Sequence, residues 1–116
     1  MNNGDRTILL VDNLFEKIKR KHLRNKGYKL VCCGCGRDAI EKINNGLEYE
    51  LIIICPFISD VYGGDVARVS RLRHKEVQIF SCSESPTWPP LYSDVHIQGS
   101  YNLQRIVDAH FNYLKH

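Results

Sequence analysis

The sequence has no apolar stretch that approaches the roughly 20 residues needed to cross a membrane as an α-helix. Its clearest apolar run, Leu51–Cys55, is only long enough for a buried strand. The first residues, Met1–Asp5, have neither the basic start nor the apolar core of a secretory signal. We therefore expect a cytoplasmic protein that does not associate with membranes.

Nor does the sequence have the cysteine pattern of a secreted, disulfide-bonded domain. It contains five cysteines, an odd number, and without an export signal this favours reduced thiols. Cys32, Cys33 and Cys35 lie too close together for the usual zinc knuckle, and no second pair of ligands accompanies them. We predict no metal site at these cysteines.

Acidic residues are scarce in one part of the chain. The formal net charge is +3, but residues 15–29 carry seven Lys or Arg against the single acid Glu16. Lys17, Arg20, Lys21 and Arg24 recur at helical spacing and form one basic stripe. A solvated helix face is the simplest interpretation, and an acidic protein partner is the second. Nucleic acid is not the predicted partner, because the sequence lacks a helix-turn-helix pattern, interleaved aromatic residues and a Gly-rich phosphate loop.

Apart from these features, short apolar strands alternate with amphipathic helices along the whole chain. We predict one α/β domain spanning residues 1–116, with a doubly wound, flavodoxin-like parallel sheet of five strands in the order 2-1-3-4-5. The predicted strands are Thr7–Val11, Lys29–Cys33, Leu51–Cys55, Val77–Ser81 and Val95–Gln98. The first predicted helix carries Leu14, Ile18 and then His22 or Leu23 at helical spacing and stops at Gly27. The others are 36–45, 65–73 and 100–114, the last with its core face at Leu103, Ile106, Val107, His110 and Leu114.

Several of these segments carry a family likeness in their order and spacing. Ile8–Asn13 resembles the opening of a response-regulator receiver domain (CheY-like), in which the first strand ends in two acidic residues. Gly36–Ile40 resembles the start of that family's second helix, and Tyr49–Ile54 resembles its third strand. Gly63 lies where the family has a glycine after the phosphorylation loop. The likeness spans nearly the whole chain.

The resemblance implies a phosphorylation site at the carboxyl edge of the sheet, and this sequence departs from it. Cys55 stands at the position of the acceptor aspartate, Asp12 and the neutral Asn13 replace the acidic pair, and Gln98 replaces the lysine. Ser81 keeps the hydroxyl at the end of the fourth strand. A thiolate is a poor ligand for Mg²⁺, which prefers oxygen. We therefore expect weak or absent Mg²⁺ binding, no catalytic residues and no resident cofactor.

A second departure concerns the segment between the fourth and fifth strands. It is shorter than in receivers, and it holds three of the four prolines in the chain, so the family's fourth helix is predicted to be shortened or absent. That helix belongs to the usual signalling face, so the output surface must differ too. Trp88 and Tyr92 in this segment and Phe111 in the last helix are candidates for contact with a protein partner. Packing against the short segment is the alternative, and a homodimer through the last helix is a further hypothesis.

The predicted function is that of a degenerate receiver, which acts in signal transduction by phosphorylation-independent protein contact and is not an enzyme. Two alternatives stay open: a working two-component phosphorelay receiver with a non-standard site, and a thiol redox sensor at Cys55. A reactive thiol needs a nearby cation to lower its pKa, and the lysine that would serve is replaced by Gln98.

Overall fold

Five short strands form one parallel sheet in the computed structural model, which describes residues 6–13, 16–24 and 27–114. The order of neighbouring strands is β2-β1-β3-β4-β5, and every pairing is parallel, so the predicted flavodoxin-like topology is confirmed. The strands are β1 (Thr7–Val11), β2 (Lys29–Cys33), β3 (Leu51–Ile54), β4 (Gln78–Ser83) and β5 (Val95–Gln98).

Helices cover both faces of this sheet, as parallel strands with crossover connections require. One face packs against α2 and α3, and the other packs against α1 and α4. Within the described residues, no helix is both long and apolar enough to cross a membrane. The helices are α1 (Glu16–Arg24), α2 (Gly36–Asn44), α3 (Gly63–Arg73) and α4 (Leu103–Leu114), the last preceded by a 3₁₀ turn at Ser100–Asn102.

The central strands β1 and β3 are buried on both faces, which explains why their sequences are continuous apolar runs. Their side chains alternate between two separate cores because successive residues of a strand point to opposite faces. The core under α2 and α3 receives Leu9, Val11, Ile52 and Ile54, and the core under α1 and α4 receives Ile8, Leu10, Leu51 and Ile53.

The connection from β4 to β5 contains no helix over residues 84–94. The prediction that the receiver family's helix at this place is shortened or absent is therefore confirmed. The ends of two strands differ slightly from the predicted ones. The fourth strand continues to Ser83, two residues beyond the predicted end at Ser81, and the third strand ends at Ile54, one residue before Cys55.

The prediction that Phe111 lies outside the core face of the last helix is wrong. Phe111 is buried with Leu103 and Val107, because residues four apart along α4 form the stripe that faces the sheet. Its ring lies 5.4 Å from that of Tyr28. His110, which was placed on the core face, is half-buried and packs its ring edge-on against Phe80. The side chain of Leu114 lies outside the described residues.

Candidate functional site

The carboxyl ends of the strands meet at one edge of the sheet, where ligand sites of open α/β sheets lie. Asp12 follows β1 and Cys55 follows β3, and both are buried. The Asp12 N–H donates to the carbonyl of Cys33 over 3.1 Å, and the Cys55 N–H donates to the carbonyl of Val11 over 2.8 Å. These bonds extend the sheet by one residue, so two of the predicted site residues lie on neighbouring strands at the same edge.

A lysine that the sequence analysis did not single out also reaches this edge. Lys19 of α1 is fully buried, and its Nζ donates hydrogen bonds to the Asp12 carboxylate and to the carbonyl of Cys82, the second over 2.9 Å. Burial of an ammonium group requires such partners, because an isolated buried charge is very costly. The Lys19–Asp12 pair therefore supplies an internal cation at the point where the sheet edge carries its buried carboxylate.

One signal in the sequence indicates that Lys19 faces inward. It lies four residues before Leu23, which is buried, so both side chains share one face of α1. The helix places its other lysines differently: Lys17 and Lys21 are exposed. Residues 15–29 are thus not a uniform basic surface.

The predicted basic stripe is only partly present as a free surface. Arg20 is half-buried and forms an ion pair with Glu16, with 3.4 Å between Nη1 and Oε1. Lys17 and Lys21 remain exposed. The side chain of Arg24 lies outside the described residues. Of the three stripe side chains that the structure describes, Arg20 is thus the one whose charge is partly neutralised within α1.

Burial governs the two thiols of this edge. It raises the pKa of Cys55 and raises the pKa of Cys82 to about 11, and the charge of Lys19 only partly offsets this for either thiol. Both thiols are therefore protonated near neutral pH. They pack into different cores, Cys55 under α2 and α3 and Cys82 under α1 and α4, and both are free thiols.

The sheet register changes the assignment of the hydroxyl group in this site. Gln98 pairs with Ser83, and Ser81 pairs with His96. Ser81 was predicted to end the fourth strand, and this is wrong because β4 is two residues longer. Its Oγ instead lies 2.7 Å from Nδ1 of His96 and donates to Ser93 over 3.0 Å.

Ser83 is the hydroxyl residue opposite Gln98, and its Oγ donates to the carbonyl of Ser85 over 2.8 Å. The Gln98 side chain is exposed, and its backbone carbonyl accepts a bond from the side chain of Asn102 over 2.9 Å. A second carboxylate lies nearby: Glu84 accepts hydrogen bonds from the backbone N–H and the hydroxyl of Ser100, the first over 3.1 Å. This contact ties the start of the β4–β5 connection to the end of β5.

A cleft of about 330 Å³ opens beside Asp12 and is lined by Asn13, Glu16, Cys32 and Gly34 as well. Its two carboxylates already have cationic partners, since Asp12 is paired with Lys19 and Glu16 with Arg20. A hard divalent cation would have to displace both, and the neighbouring Cys55 offers a protonated thiol. Among the described residues, no group of three or more His, Cys, Asp or Glu is arranged to hold a metal. This donor set does not fit Mg²⁺.

The three candidate partner-binding aromatics have different surroundings. Trp88 is 92% exposed. Tyr92 is half-buried and packs against the core under α2 and α3, with its ring edge-on to Tyr62 at 5.8 Å. Phe111 is buried, as described above. Only Trp88 of the three presents its ring to solvent.

Comparison with solved structures identifies the fold as that of receiver domains. The response regulator TrrA from Thermotoga maritima, solved in complex with Mg²⁺ and BeF, is 21% identical with a TM-score of 0.74, over 92% of this chain and 97% of that chain. A CheY-like receiver domain protein from Methanospirillum hungatei is 14% identical with a TM-score of 0.77, over 95% and 96%.

The N-terminal domain of a response regulator/sensory box/GGDEF protein from Carboxydothermus hydrogenoformans is 16% identical with a TM-score of 0.80, over 95% of this chain and 97% of that chain. No family model matches the sequence, and the search of curated proteins finds no match. The chain therefore has the receiver-domain fold over more than nine-tenths of its length. Sequence identities of 14–21% support this statement about the fold and nothing further.

Proposed function

We propose that this chain is a degenerate receiver domain that acts in signal transduction by phosphorylation-independent contact with a protein partner. It has no enzymatic activity of its own in this proposal, and it works in the cytoplasm. The observation that carries the proposal is the composition of the sheet edge: a buried thiol in place of the acceptor carboxylate, beside a carboxylate that is paired with a buried lysine.

The acceptor position argues against phosphoryl transfer on chemical grounds. A phosphoryl acceptor of this class must be an ionised oxygen nucleophile that also binds the metal. The Cys55 thiol is buried and protonated near neutral pH, and sulfur is a soft ligand for a cation that prefers oxygen. Asp12 is the remaining carboxylate of the predicted site, and its charge is compensated by Lys19.

The loss of the fourth helix supports a changed output surface. The receiver family that the sequence resembles has a helix between its fourth and fifth strands, whereas residues 84–94 form a proline-rich connection without a helix that exposes Trp88. A switch that no longer takes a phosphoryl group has no covalent signal to relay. Its remaining means of action is a fixed surface that a partner recognises.

The decisive experiment is incubation of the full chain with acetyl phosphate and Mg²⁺, followed by intact-mass measurement. We expect no phosphoryl adduct, whereas a receiver with an acceptor aspartate, treated in parallel, gains one. The Cys55→Asp variant is the matched second sample. We expect it to stay unmodified too, because Asn13, Gln98 and the Lys19–Asp12 pair are unchanged.

An adduct on the unaltered chain that maps to Asp12 or Cys55 would overturn the proposal and identify a working phosphorelay receiver with non-standard chemistry. The redox alternative receives no support from the two thiols of the edge, since both are buried and burial raises the pKa of Cys55 and of Cys82.

A further inference from the structure

The connection between β4 and β5 has an unusual composition for an exposed segment. Residues 85–93 include no charged side chain, although charged residues make up 25% of the chain. Trp88 and Leu91 are almost fully exposed, at 92% and 101%. A concavity of about 500 Å³ lies against Pro86, Thr87 and Trp88. Apolar side chains exposed together on one segment are typical of a surface that contacts a partner.

Prolines restrict the conformation of this segment. Each proline ring holds φ at about −65°, and a residue that precedes proline is driven to the extended or polyproline II region. Together the two rules cover every position from Ser85 to Pro90 except Thr87. Residues 86–90 accordingly form neither helix nor strand. Little backbone entropy remains to be lost when a partner binds such a segment.

Hydrogen bonds hold both ends of the segment to the domain. At the start, Ser83 Oγ donates to the carbonyl of Ser85 over 2.8 Å. At the far end, the N–H and the Oγ of Ser93 donate to the carbonyl of Pro90 over 3.3 and 3.1 Å. The residues between them project from a fixed base as a ridge, which we define as residues 86–91.

A cationic patch adjoins this ridge. The end of α3 and the turn after it, residues 68–75, carry four cations. Neighbouring acids offset part of this charge, since Arg68 pairs with Asp65 over 3.7 Å and Arg71 with Asp94 over 3.5 Å, so Arg73 and Lys75 supply most of the net positive charge. Arg71 joins the patch to the segment, because its guanidinium donates to the carbonyl of Tyr92 over 2.6 Å. The four cations are all exposed: Arg68, Arg71, Arg73 and Lys75.

We infer that the 86–91 ridge is a docking element for a partner protein whose groove is lined by aromatic side chains and rimmed by acidic ones, the kind of groove that binds polyproline II segments. Prolines present compact apolar rings and carbonyl acceptors but no N–H donor, so the complementary surface offers aromatic faces and hydrogen-bond donors. The adjoining cations favour acids at the rim of that groove.

A second copy of the chain fits the ridge less well. In a twofold contact the ridge would meet the same proline-rich ridge, whose prolines offer carbonyl acceptors but no N–H donors to pair with them. The inference names a partner class for the proposed function and rests on it. Its test uses no phosphodonor, so its failure is distinguishable from a failure of the degenerate-receiver proposal.

The experiment uses the full chain and two purified probes: an SH3 domain with acidic residues beside its polyproline groove, and the same domain with those acids changed to amides. Trp88 is the single tryptophan, so the chain labelled with 5-fluorotryptophan gives one ¹⁹F signal that reports the ridge directly. We expect a saturable shift of this signal with the first probe and weaker binding, by about threefold or more, with the second.

Three variants sharpen the measurement, with affinity read by calorimetry. Pro89→Ala combined with Pro90→Ala, and separately Trp88→Ala, weaken binding at least about tenfold, as expected for the central anchors of an interface. Arg68→Glu combined with Arg73→Glu leaves Arg71 in place and makes binding to the two probes equal. Tyr101→Ala is the matched control, because Tyr101 is an exposed aromatic outside the ridge, and it binds like the unaltered chain.

The inference is overturned if neither probe shifts the ¹⁹F signal saturably, or if the double proline variant binds as tightly as the unaltered chain. Self-association in sedimentation equilibrium that Trp88→Ala abolishes also overturns it, since the ridge would then bind a second copy.

Discussion

Lys19 and Asp12 lie side by side at the buried sheet edge, and each charge lowers the free-energy cost of burying the other. Both side chains are fully buried, and the ammonium also binds the Cys82 carbonyl, so it connects α1 with β1 and β4. A buried ion pair contributes little net stability compared with an apolar pair, but removal of one partner leaves an uncompensated charge. The pair therefore fixes the position of α1 relative to the ends of β1 and β4.

The variant Lys19→Met tests how much this ion pair stabilises the sheet edge. We expect the free energy of unfolding, measured by urea denaturation, to fall by about 3–5 kcal/mol, because the buried Asp12 carboxylate loses its partner. Lys17→Met is the control on the same helix, and its exposed side chain predicts a change within about 0.5 kcal/mol.

The double variant Lys19→Met with Asp12→Leu distinguishes the cost of an uncompensated charge from the cost of altered packing. It removes both charges, so we expect it to be more stable than Lys19→Met alone. Equal stability of the Lys19→Met and Lys17→Met proteins would show that the ion pair does not hold the edge together.

The cysteines differ in reactivity for the same physical reason. Burial raises the pKa of Cys33 to about 12 and that of Cys82 to about 11, and it raises the pKa of Cys55 as well. A thiol whose pKa is raised stays protonated at pH 8 and is a poor nucleophile. Cys32 and Cys35, in contrast, are partly exposed.

Alkylation with iodoacetamide at pH 8 checks this at each cysteine. Peptide mass analysis is expected to find Cys35 and Cys32 labelled first, and Cys33, Cys55 and Cys82 labelled only after denaturation. Native labelling of Cys55 at the rate of Cys35 would revive the redox-sensor alternative.

At the scale of elements, the start of α2 depends on a residue from a distant loop. Cys35 at the N-cap position makes no side-chain capping bond. The Asp60 carboxylate instead accepts the N–H groups of Gly36 and Arg37, over 2.9 and 2.8 Å. These bonds lower the pKa of Asp60. The loop after β3, which in receivers follows the phosphorylation site, is in this way tied to α2.

Asp60→Ala is expected to lower the free energy of unfolding by about 1 kcal/mol at pH 7, the usual effect of losing an N-cap. Urea denaturation measures the change, and Asp65→Ala, an exposed acid in the first turn of α3, is the control. No difference between the two variants would mean that the Asp60 contacts do not stabilise α2.

The β4–β5 connection contains no helix, and one of its side chains, Tyr92, covers part of the sheet instead. Tyr92 lies over the start of α3, so close that a Cβ on Gly63 would meet the Tyr92 Oη at 2.6 Å. The absence of a side chain at Gly63 thus makes room for an aromatic ring that packs on the core. Beneath the connection, His96 is held by Ser81.

At the scale of the whole molecule, two histidines tie stability to pH. Burial lowers the pKa of His96 below its ordinary value of 6.5, and the Nε2 atom of its ring is buried without a hydrogen-bond partner among the described residues. Burial, with a smaller effect of Arg6, also lowers the pKa of His110 below 6.5. Below pH 6.5 the unfolded chain therefore binds more protons than the folded one.

The contribution of these two histidines to stability is consequently expected to be fully present above pH 6.5 and to be lost as the pH falls below that value. Urea midpoints measured at pH 7.5 and pH 5.5 check this, with the midpoint lower at pH 5.5. The double variant His96→Gln with His110→Gln should show a smaller difference between the two pH values. Equal or higher stability of the unaltered chain at pH 5.5 would contradict the assignment.

Much of the architecture was readable in the sequence. The buried runs at Ile8–Val11 and Leu51–Ile54, separated by amphipathic helices, are typical of a parallel sheet covered on both faces, and the prolines of residues 86–90 exclude a helix there. Asp12 and Cys55 were also placed at one edge, because the carboxyl ends of parallel strands meet there.

Tertiary structure decided which other groups meet Asp12 and Cys55 at that edge. The spacing of Lys19 from Leu23 indicates which face of α1 it shares, but its partners, the Asp12 carboxylate and the Cys82 carbonyl, depend on how α1 packs against β1 and β4. The pairing of Ser83 with Gln98 likewise depends on the register between β4 and β5, and Phe111 is buried because α4 presents Leu103, Val107 and Phe111 to the sheet. Local periodicity specifies which residues form elements, whereas contacts between elements distant in the chain specify which polar groups meet.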